Sequence, residues 1–371
     1  MGIKDLNKFL RDKNINCFVE GFPLTNLKGH RIAIDSNNFL FVYGASVHRE
    51  LVYQNKNMDE ELDREKFLHK LYQKVLNFIN VLMNNGVTPI MVFDGNAEKE
   101  KTSEREKRQE TRQKTQERIN EIRTEMVTVP MWLRNSHALG DVPQELLDQA
   151  LRYAKLEDEL KKLSSTQISV FRDEIDAIKG LLSSLGIPCL TAVNEGEFMC
   201  AELAYDGHVA AVFSTDSDCL PLGIPFIFDS VTGTKKGKGG FMKGTVLNAI
   251  LEGLKLNQDE FRDFCVMLGT DFNERVHGYG PAKSYKLISE YRSIENIIEK
   301  VNLDVTSLNY LRTRCLLTPK HQDWDISKLD IDFSLFESHF QSILELYMLS
   351  DLTYEMKEAV EYVKNVRLVL A

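Results

Sequence analysis

The 371-residue sequence lacks the long apolar segments that a membrane protein requires. No run approaches the roughly 20 apolar residues needed to cross a bilayer, and no apolar signal segment opens the chain. The six cysteines are scattered, without a CxxC pair or a Cys/His cluster, which argues against structural zinc and favours reduced thiols inside a cell. Internal repeats and low-complexity segments are also absent. These absences predict an intracellular, non-membrane protein that builds one or two sizeable α/β cores.

The sequence also lacks an excess of positive charge. Its net charge is -9, which counts against a nucleic-acid partner because phosphate binding is mostly electrostatic. The objection weakens if many of the acids lie in one metal site, since bound divalent cations reverse the local field. The positions of the charges therefore matter more than their sum.

The most informative segment is the apolar run from Val209 to Phe213 and the two aspartates that follow it, Asp216 and Asp218. The run predicts a buried strand, and side chains two residues apart on an extended chain point the same way. Two such charges repel by about 1 kcal/mol in water and about 4 kcal/mol at an effective dielectric of ~20. The pair therefore needs a proton or a cation, unless it is only a solvated turn.

Carboxylates recur at the ends of other predicted strands. Lys28 to Asp35 and Thr88 to Asp94 read as strands, and Pro188 to Thr191 precedes a helix that opens at Asn194. Parallel α/β alternation brings such strand ends to one edge of a sheet. Six carboxylates are expected at that edge, and a seventh follows a predicted helix from Phe261 to Leu268: Asp35, Asp94, Glu195, Glu197, Asp216, Asp218 and Asp271.

Each of these acids has an ordinary structural alternative. Asn194 and Glu197 have the spacing of a capping box, Asp94 precedes Gly95 as in a turn, and Asp35 or Asp271 can cap a helix. If there were no metal site, all these structural alternatives would have to hold at once. A site of carboxylates alone prefers Mg²⁺ or Mn²⁺, and seven acids suit two ions about 3.5–4 Å apart better than one. Paired ions of this kind favour displacement at phosphorus, so the set predicts phosphodiester hydrolysis.

The remaining segments are largely helical in pattern. Residues Ser46 to Glu65 predict a loop or a weak helix, and Phe67 to Met83 an amphipathic helix. The segment from Glu98 to Glu125 is dense in Lys, Arg and Glu, and Pro143 to Leu163 restores an apolar helix face, so about seventy residues form a helical insertion. A glycine turn runs from Gly278 to Lys283, and the remainder of the chain is helical in pattern.

The sequence resembles the flap endonuclease family, the structure-specific 5′ nucleases related to the XPG repair nuclease. The matching motifs occur in the family's order from Met1 to about Lys300: MGIKDL, IAIDSNNFL, PIMVFDG, NEGEFMCAELA, FSTDSDCL and LGTDFNERVHGYGPAKSYKLI. The resemblance implies an α/β fold with a mostly parallel central sheet and flanking helices, a PIN-like 5′ nuclease core. It places this core in residues 1–275, with a helical arch and cap at about 96–165, and a helix-two-turn-helix and C-terminal helical region in 276–371.

The resemblance also implies a function and a set of functional residues. It predicts a nuclease that cuts DNA near single-strand/double-strand junctions with two Mg²⁺ or Mn²⁺ ions, in replication, repair or recombination. The seven carboxylates become the metal ligands. Lys101, Arg108 and Gly2 become active-site residues, and Phe41 stacks on a base unless it is a core aromatic. Gly278, Gly280 and Lys283 hold duplex phosphates, with K⁺ bound at the same turn.

Substrate preference and partners stay open at this stage. The chain ends in NVRLVLA, without the paired aromatics of the family's clamp-binding peptide, so recruitment by a sliding clamp is left undecided. The expected partner is DNA with a 5′ flap or junction, bound by a monomer in the nucleus or at another site of DNA replication. A 5′-exonuclease, a bubble or four-way-junction cutter, and a catalytically inactive scaffold are the alternatives. The basic run from Lys235 to Lys238 is expected at a hairpin tip.

Overall fold

The computed structural model describes residues 2–55, 62–96, 101–128, 144–233 and 239–370. Within these ranges seven strands form one sheet. The strands are β1 (Phe18–Pro23), β2 (Arg31–Asp35), β3 (Thr88–Phe93), β4 (Cys189–Thr191), β5 (Ala211–Phe213), β6 (Phe226–Gly233) and β7 (Gly240–Val246).

The helices of the described ranges fall before, between and after these strands. They are α1 (Leu6–Asp12), α2 (Ser36–Gln54), α3 (Arg64–Met83), α4 (Thr102–Val127), α5 (Gln144–Ser164), α6 (Arg172–Ser184), α7 (Gly196–Tyr205), α8 (Leu247–Leu254), α9 (Gln258–Leu268), α10 (Pro281–Tyr291), α11 (Ile294–Val301), α12 (Tyr310–Leu316), α13 (Phe333–Leu346) and α14 (Thr353–Leu370). None of these helices is both long and apolar enough to cross a bilayer.

The sheet is mostly parallel, as predicted. Its strand order is β1-β7-β6-β5-β2-β3-β4. The five strands from β6 to β4 run parallel, whereas β7 pairs antiparallel with both β6 and β1. In register, Asp35 of β2 lies opposite Val92 of β3, and Ile34 lies opposite Phe213 of β5. The carboxyl ends of β4, β3, β2 and β5 therefore meet side by side along one edge.

The chain divides into two compact units, and their bounds differ from the predicted domains. One unit comprises residues 1–40, 73–101 and 175–371, and the other comprises 41–72 and 102–174. Helices beyond residue 275 belong to the first unit because Ile288, Ile294 and Leu308 share a buried core with sheet residues such as Ala33 and Val212. The predicted boundary at 275/276 therefore does not separate compact bodies.

The second unit contains the charged insertion. Helices α4 and α5 pack through a small buried cluster of Ile119, Ile122, Met126, Leu156 and Leu160. Helix α5 matches the predicted helix from Pro143 to Leu163 closely. The basic run from Lys235 to Lys238, which was predicted at a hairpin tip, lies outside the described residues.

One helix is longer than predicted. Helix α2 continues to Gln54, through a segment expected to be a loop or a weak helix from Ser46 onwards. Its apolar residues Val47, Leu51 and Val52 are buried, so tertiary packing stabilises turns whose composition is weakly helical. Residues 56–61 of the same predicted loop are outside the described ranges.

The C-terminal segment contacts the amino edge of the sheet, opposite the strand-end carboxylates. The amide of Asp332 donates to the carbonyl of Gly186 at 2.8 Å, just before β4. Arg31, at the start of β2, donates from Nε to Oδ1 of Asp330 at 2.6 Å. These contacts link the segment after residue 329 to the starts of the strands whose other ends carry the acids.

Candidate metal centre

Three carboxylates form a tight buried cluster at the carboxyl edge of the sheet. Glu197, Asp216 and Asp218 each place one carboxylate oxygen within 4.8 Å of the others. Asp218 is fully buried, and among the described residues neither of its carboxylate oxygens has a hydrogen-bond partner. Burial raises the pKa of Asp218 well above its usual value, and the charges of Asp216 and Glu197 raise it further. Such an arrangement requires a proton or a cation.

The aspartate pair after β5 does not adopt the extended geometry that was predicted. Asp218 lies in a short 3₁₀ turn (Ser217–Cys219), and Asp216 precedes this turn as its cap. The amide of Asp218 donates to Oδ1 of Asp216 at 3.0 Å. The two side chains nevertheless reach the same cluster, because the turn rather than strand alternation directs them.

Asp35 and Asp94 are oriented by neighbouring polar groups. Oγ of Ser214 donates to Oδ2 of Asp35 at 3.1 Å, and the amide of Asn38 donates to Oδ1 at 3.3 Å. The amide of Gly196, in the first turn of α7, donates to Oδ1 of Asp94 at 2.7 Å. Burial and the charge of Asp94 raise the pKa of Asp35 to about 7. Both carboxylates are thus held at the same sheet edge in defined orientations.

Asn194 and Glu197 do not form the capping box that their spacing allowed. Glu195, not Asn194, is the residue preceding α7, and among the described residues no side-chain hydrogen bond caps this helix. Both carboxylates instead accept from Nζ of Lys101, at 3.2 Å and 2.9 Å. Burial raises the pKa of Glu197 to about 8, although Lys101 counteracts the shift. The capping alternative for Glu197 is therefore wrong.

Lys101 lies immediately before α4. Burial alone would lower the pKa of Lys101, but Glu197 and Glu195 outweigh burial and raise it above its usual value. The ammonium group is therefore charged beside the cluster. Arg108 and Phe41, both half-buried, belong to the other compact unit.

Asp271 follows α9 in a short turn that is closed by a bridge between Thr270 and Asn273. Burial is the largest cause of the raised pKa values of Asp216 and Asp218, and the charge of Asp271 raises both pKa values further. Asp271 therefore lies near the cluster. It caps no helix among the described residues. All seven predicted carboxylates thus lie in the same compact unit.

The N-terminal segment contacts the same turn as Asp218. The amide of Ile3 donates to Oγ of Ser217 at 2.9 Å. Gly2 has a backbone φ of +89°, and a Cβ atom there would lie 2.1 Å from Oδ1 of Asp216. Only glycine fits this close approach.

The predicted glycine turn has the conformation of a helix start. Gly278 has a φ of +78°, Gly280 precedes α10, and Pro281 occupies the first turn of that helix. Nζ of the exposed Lys283 donates to the carbonyl of Gly278 at 3.0 Å. The turn therefore presents an exposed lysine and the amides of a helix N-terminus at the surface.

Sequence reasoning missed several polar residues that support the carboxylates. Oδ1 of Asn37 accepts from the amide of Asp94 at 3.3 Å, and Oδ1 of Asn38 accepts from the amide of Thr215 at 3.0 Å. Ser214 and Ser217 orient Asp35 and Ile3 as described above. The sequence did hold a signal for these residues, since hydroxyl and amide side chains stand beside the aspartates in IAIDSNNFL and FSTDSDCL. Buried carboxylates need hydrogen-bond donors of this kind.

Comparison with known proteins identifies the family. Two family models match, the XPG N-terminal domain over residues 1–115 and the XPG I-region over residues 186–271. Flap endonuclease 1 of Scheffersomyces stipitis is 31% identical over 307 residues, which cover 83% of this chain and 71% of that protein. The chain belongs to the flap endonuclease family. Flap endonuclease 1 of Homo sapiens is 30% identical over 303 residues, covering 81% of this chain and 70% of that protein.

Solved structures of XPG-type nucleases share the fold. The catalytic core of Rad2 in complex with a DNA substrate superposes with a TM-score of 0.58 at 17% identity, covering 95% of this chain and 98% of that one. The flap endonuclease from Methanococcus jannaschii superposes with a TM-score of 0.56 at 23% identity, with the same coverage. These likenesses confirm the predicted α/β nuclease-core fold of this flap endonuclease family member.

Proposed function

We propose that the chain is a structure-specific 5′ nuclease that hydrolyses DNA phosphodiester bonds near single-strand/double-strand junctions. One observation carries the proposal: Asp218 is fully buried beside Glu197 and Asp216, and its carboxylate oxygens have no hydrogen-bond partner in the part of the chain that the structure describes. A buried charge of this kind is costly unless it serves a cation. Membership of the flap endonuclease family supplies the reaction class.

The residues of the cluster fit divalent metal ions. They offer carboxylate oxygens without histidine or cysteine ligands, the donor set that Mg²⁺ and Mn²⁺ prefer. Glu197, Asp216 and Asp218 would hold one ion. Asp35, Asp94, Glu195 and Asp271 would complete the ligands of a second ion, directly or through water. When bound, such ions supply a polarised water nucleophile and charge stabilisation at the phosphate.

The chain's own residues provide a cation and a way to hold the duplex. Lys101 keeps its proton in the cluster, so its ammonium group is available to the negative charge that develops on a scissile phosphate. The glycine turn at Gly278 and Gly280 offers backbone amides at the start of α10, and Lys283 adds a positive charge there. We propose that this turn holds duplex phosphates, with K⁺ bound by its backbone carbonyls.

Two further roles rest on the family resemblance. Arg108 is proposed to assist catalysis, and Phe41 to stack on a base next to the cleaved bond. Arg108→Ala should lower kcat, whereas Phe41→Ala should raise KM for DNA. If the kinetic constants of either variant were unchanged, the proposed role of that residue would be rejected.

The test is cleavage of end-labelled DNA in Mg²⁺ or Mn²⁺. Flap, nicked, bubble and four-way substrates should give products of different lengths, with the 5′-flap substrate cut near its junction. A predominance of mononucleotides would favour an exonuclease, and paired cuts of four-way DNA a junction resolvase. Asp216→Asn should abolish cleavage while junction binding, measured by a gel shift, remains. Full cleavage by this variant would contradict the proposal, and binding without any cleavage by the natural chain would favour a scaffold.

The cellular setting follows from this activity. We propose that the protein acts as a monomer at a site of DNA replication, repair or recombination, such as a nucleus. Whether a sliding clamp recruits it can be tested by adding the clamp to the same cleavage assay.

A further inference from the structure

Lys101 has two kinds of partner in the metal centre. Its ammonium group donates to Glu197 at 2.9 Å and to Glu195 at 3.2 Å. Its Nζ also lies 4.8 Å from the centroid of the Phe272 ring, within the range of a cation–π contact. Phe272 directly follows Asp271, and it is 5% exposed. The aromatic contact is uncharged, whereas the other two partners are proposed metal ligands.

Phe272 is held through its ring and through its backbone. The ring stacks on Phe198 of α7, with centroids 5.7 Å apart and planes inclined at 29°. The Phe272 amide donates to Oγ1 of Thr270 at 2.9 Å. Because α7 begins between Glu195 and Glu197, the ring is fixed to the same helix that presents these two carboxylates. The ring therefore provides a rigid surface for the ammonium group.

Cation binding would change the balance between these partners. A divalent ion held by the carboxylates would neutralise the charge that attracts Lys101. The attraction of the ring face for an ammonium group does not depend on those carboxylates and is stronger in a dry environment. The ring can thus keep Lys101 in place after its ion pairs weaken.

We propose that Phe272 is a positioning residue that holds the Lys101 ammonium group beside the scissile phosphate in the metal-loaded enzyme. The inference rests on the proposed nuclease function. It adds a role for a residue that is neither a proposed metal ligand nor one of the proposed DNA-binding residues. The opposing interpretation is that Phe272 only fills the core.

Steady-state kinetics on 5′-flap DNA distinguish these interpretations. Phe272→Leu keeps an apolar side chain but removes the ring, and we expect kcat to fall about 5–30-fold with KM nearly unchanged, the loss of one desolvated cation–π contact. Phe272→Tyr keeps the ring and should restore kcat. In a Lys101→Ala background, Phe272→Leu should have no further effect on kcat. Additive losses in the double variant would show a purely structural role and overturn the inference.

Thermal unfolding and a matched variant control for effects of the substitution on folding. Phe336 on α13 is 3% exposed, and Phe336→Leu removes an equally buried ring in a different part of the unit. Both Leu variants should lose similar stability, but only Phe272→Leu should lose kcat. Equal losses of kcat in both would attribute the effect to stability alone and reject the positioning role.

A measurement without turnover tests the contact itself. In protein labelled with ¹³C-lysine and free of DNA, the Lys101 ε-methylene protons should be shifted upfield by the Phe272 ring, with the assignment confirmed by Lys101→Arg. The shift should persist when Mg²⁺ is added and disappear in Phe272→Leu. Loss of the shift on Mg²⁺ addition would refute the inference even if the nuclease is active. If the natural chain cleaves no DNA, the proposed function fails while this spectrum still decides the contact.

Discussion

A Cβ atom on Gly2 would lie 2.1 Å from Oδ1 of Asp216, so the N-terminal backbone and a cluster carboxylate are in direct contact. Gly2→Ala must displace one of them. Since a misplacement of about 1 Å can cost on the order of 100-fold in rate, we expect kcat on flap DNA to fall about 100-fold. Gly21 is the control, because its φ of +82° is similar and nothing lies within 4 Å of its Cβ position. An equal loss in Gly21→Ala would contradict the explanation.

Asp218 should destabilise the metal-free protein. Its carboxylate is fully buried without a hydrogen-bond partner among the described residues, and such a group costs roughly 1–3 kcal/mol or more when charged. Asp218→Asn should therefore raise Tm in EDTA and abolish the rise in Tm that Mg²⁺ produces in the natural chain. The exposed Asp229 on β6 is the control, and Asp229→Asn should change Tm little in either buffer. A lower Tm for Asp218→Asn in EDTA would show that the carboxylate stabilises the fold by itself.

The raised carboxyl pKa values predict how metal-free stability varies with pH. Burial raises the pKa of Asp35 to about 7 and that of Glu197 to about 8, against about 4 in an unfolded chain. Between these values the folded state binds more protons, so the free energy of unfolding falls as pH rises. This contribution should be complete below about pH 4 and lost by about pH 8. Chemical unfolding in EDTA across this range measures it, and an Asp35→Asn, Glu197→Gln double variant should show a flatter profile.

Metal affinity should change with pH in the opposite direction. The ligands must be ionised to bind a cation, and burial keeps Asp35 and Glu197 partly protonated near neutral pH. We expect calorimetric titrations with Mg²⁺ to show binding that tightens from about pH 6 to pH 8, while the number of protons released on binding falls because the two carboxyl groups are already ionised at the higher pH. Affinity that stays constant over this range would mean that these two groups are not ligands.

The stability of the second compact unit should depend on one ion pair, between Arg64 and Glu174. Nε of Arg64 donates to Oε1 of the buried Glu174 at 2.9 Å, and its guanidinium carbon lies 4.3 Å and 4.4 Å from the ring centroids of Phe67 and Phe171. Removing one partner leaves a buried charge. Because Arg64 is partly exposed, we expect Arg64→Ala to destabilise this unit by about 2–4 kcal/mol, somewhat below the range for a fully buried pair.

The control for this prediction lies in the same unit. Arg118 pairs with Glu121 at 3.1 Å and with Glu159 at 3.0 Å, and all three side chains are exposed. Arg118→Ala should cost only about 0.2–1 kcal/mol. Limited proteolysis of residues 102–174 would report both effects, and equal protease sensitivity of the two variants would reject the distinction.

The sequence alone was sufficient to predict the carboxyl edge of the sheet and the acids that lie there. The carboxyl ends of β2 and β3 were predicted within one residue, and Asp35 and Asp94 lie where parallel α/β alternation places them. Such features are predictable because apolar periodicity is local and because parallel strands share one carboxyl edge. The same alternation predicted four more of the acids, and the predicted helix from Phe261 to Leu268 preceded the seventh, Asp271.

Tertiary structure decided the contacts that make the acids a site. Asp218 reaches the cluster through a 3₁₀ turn, and Glu197 accepts from Lys101 instead of capping its helix. Phe272 meets the same ammonium group across 171 residues of chain, a distance that no local pattern spans. Residues 41–72 also join residues 102–174 in one compact unit. Local propensities cannot encode these choices, because each one depends on which distant side chain desolvates or pairs with a given charge.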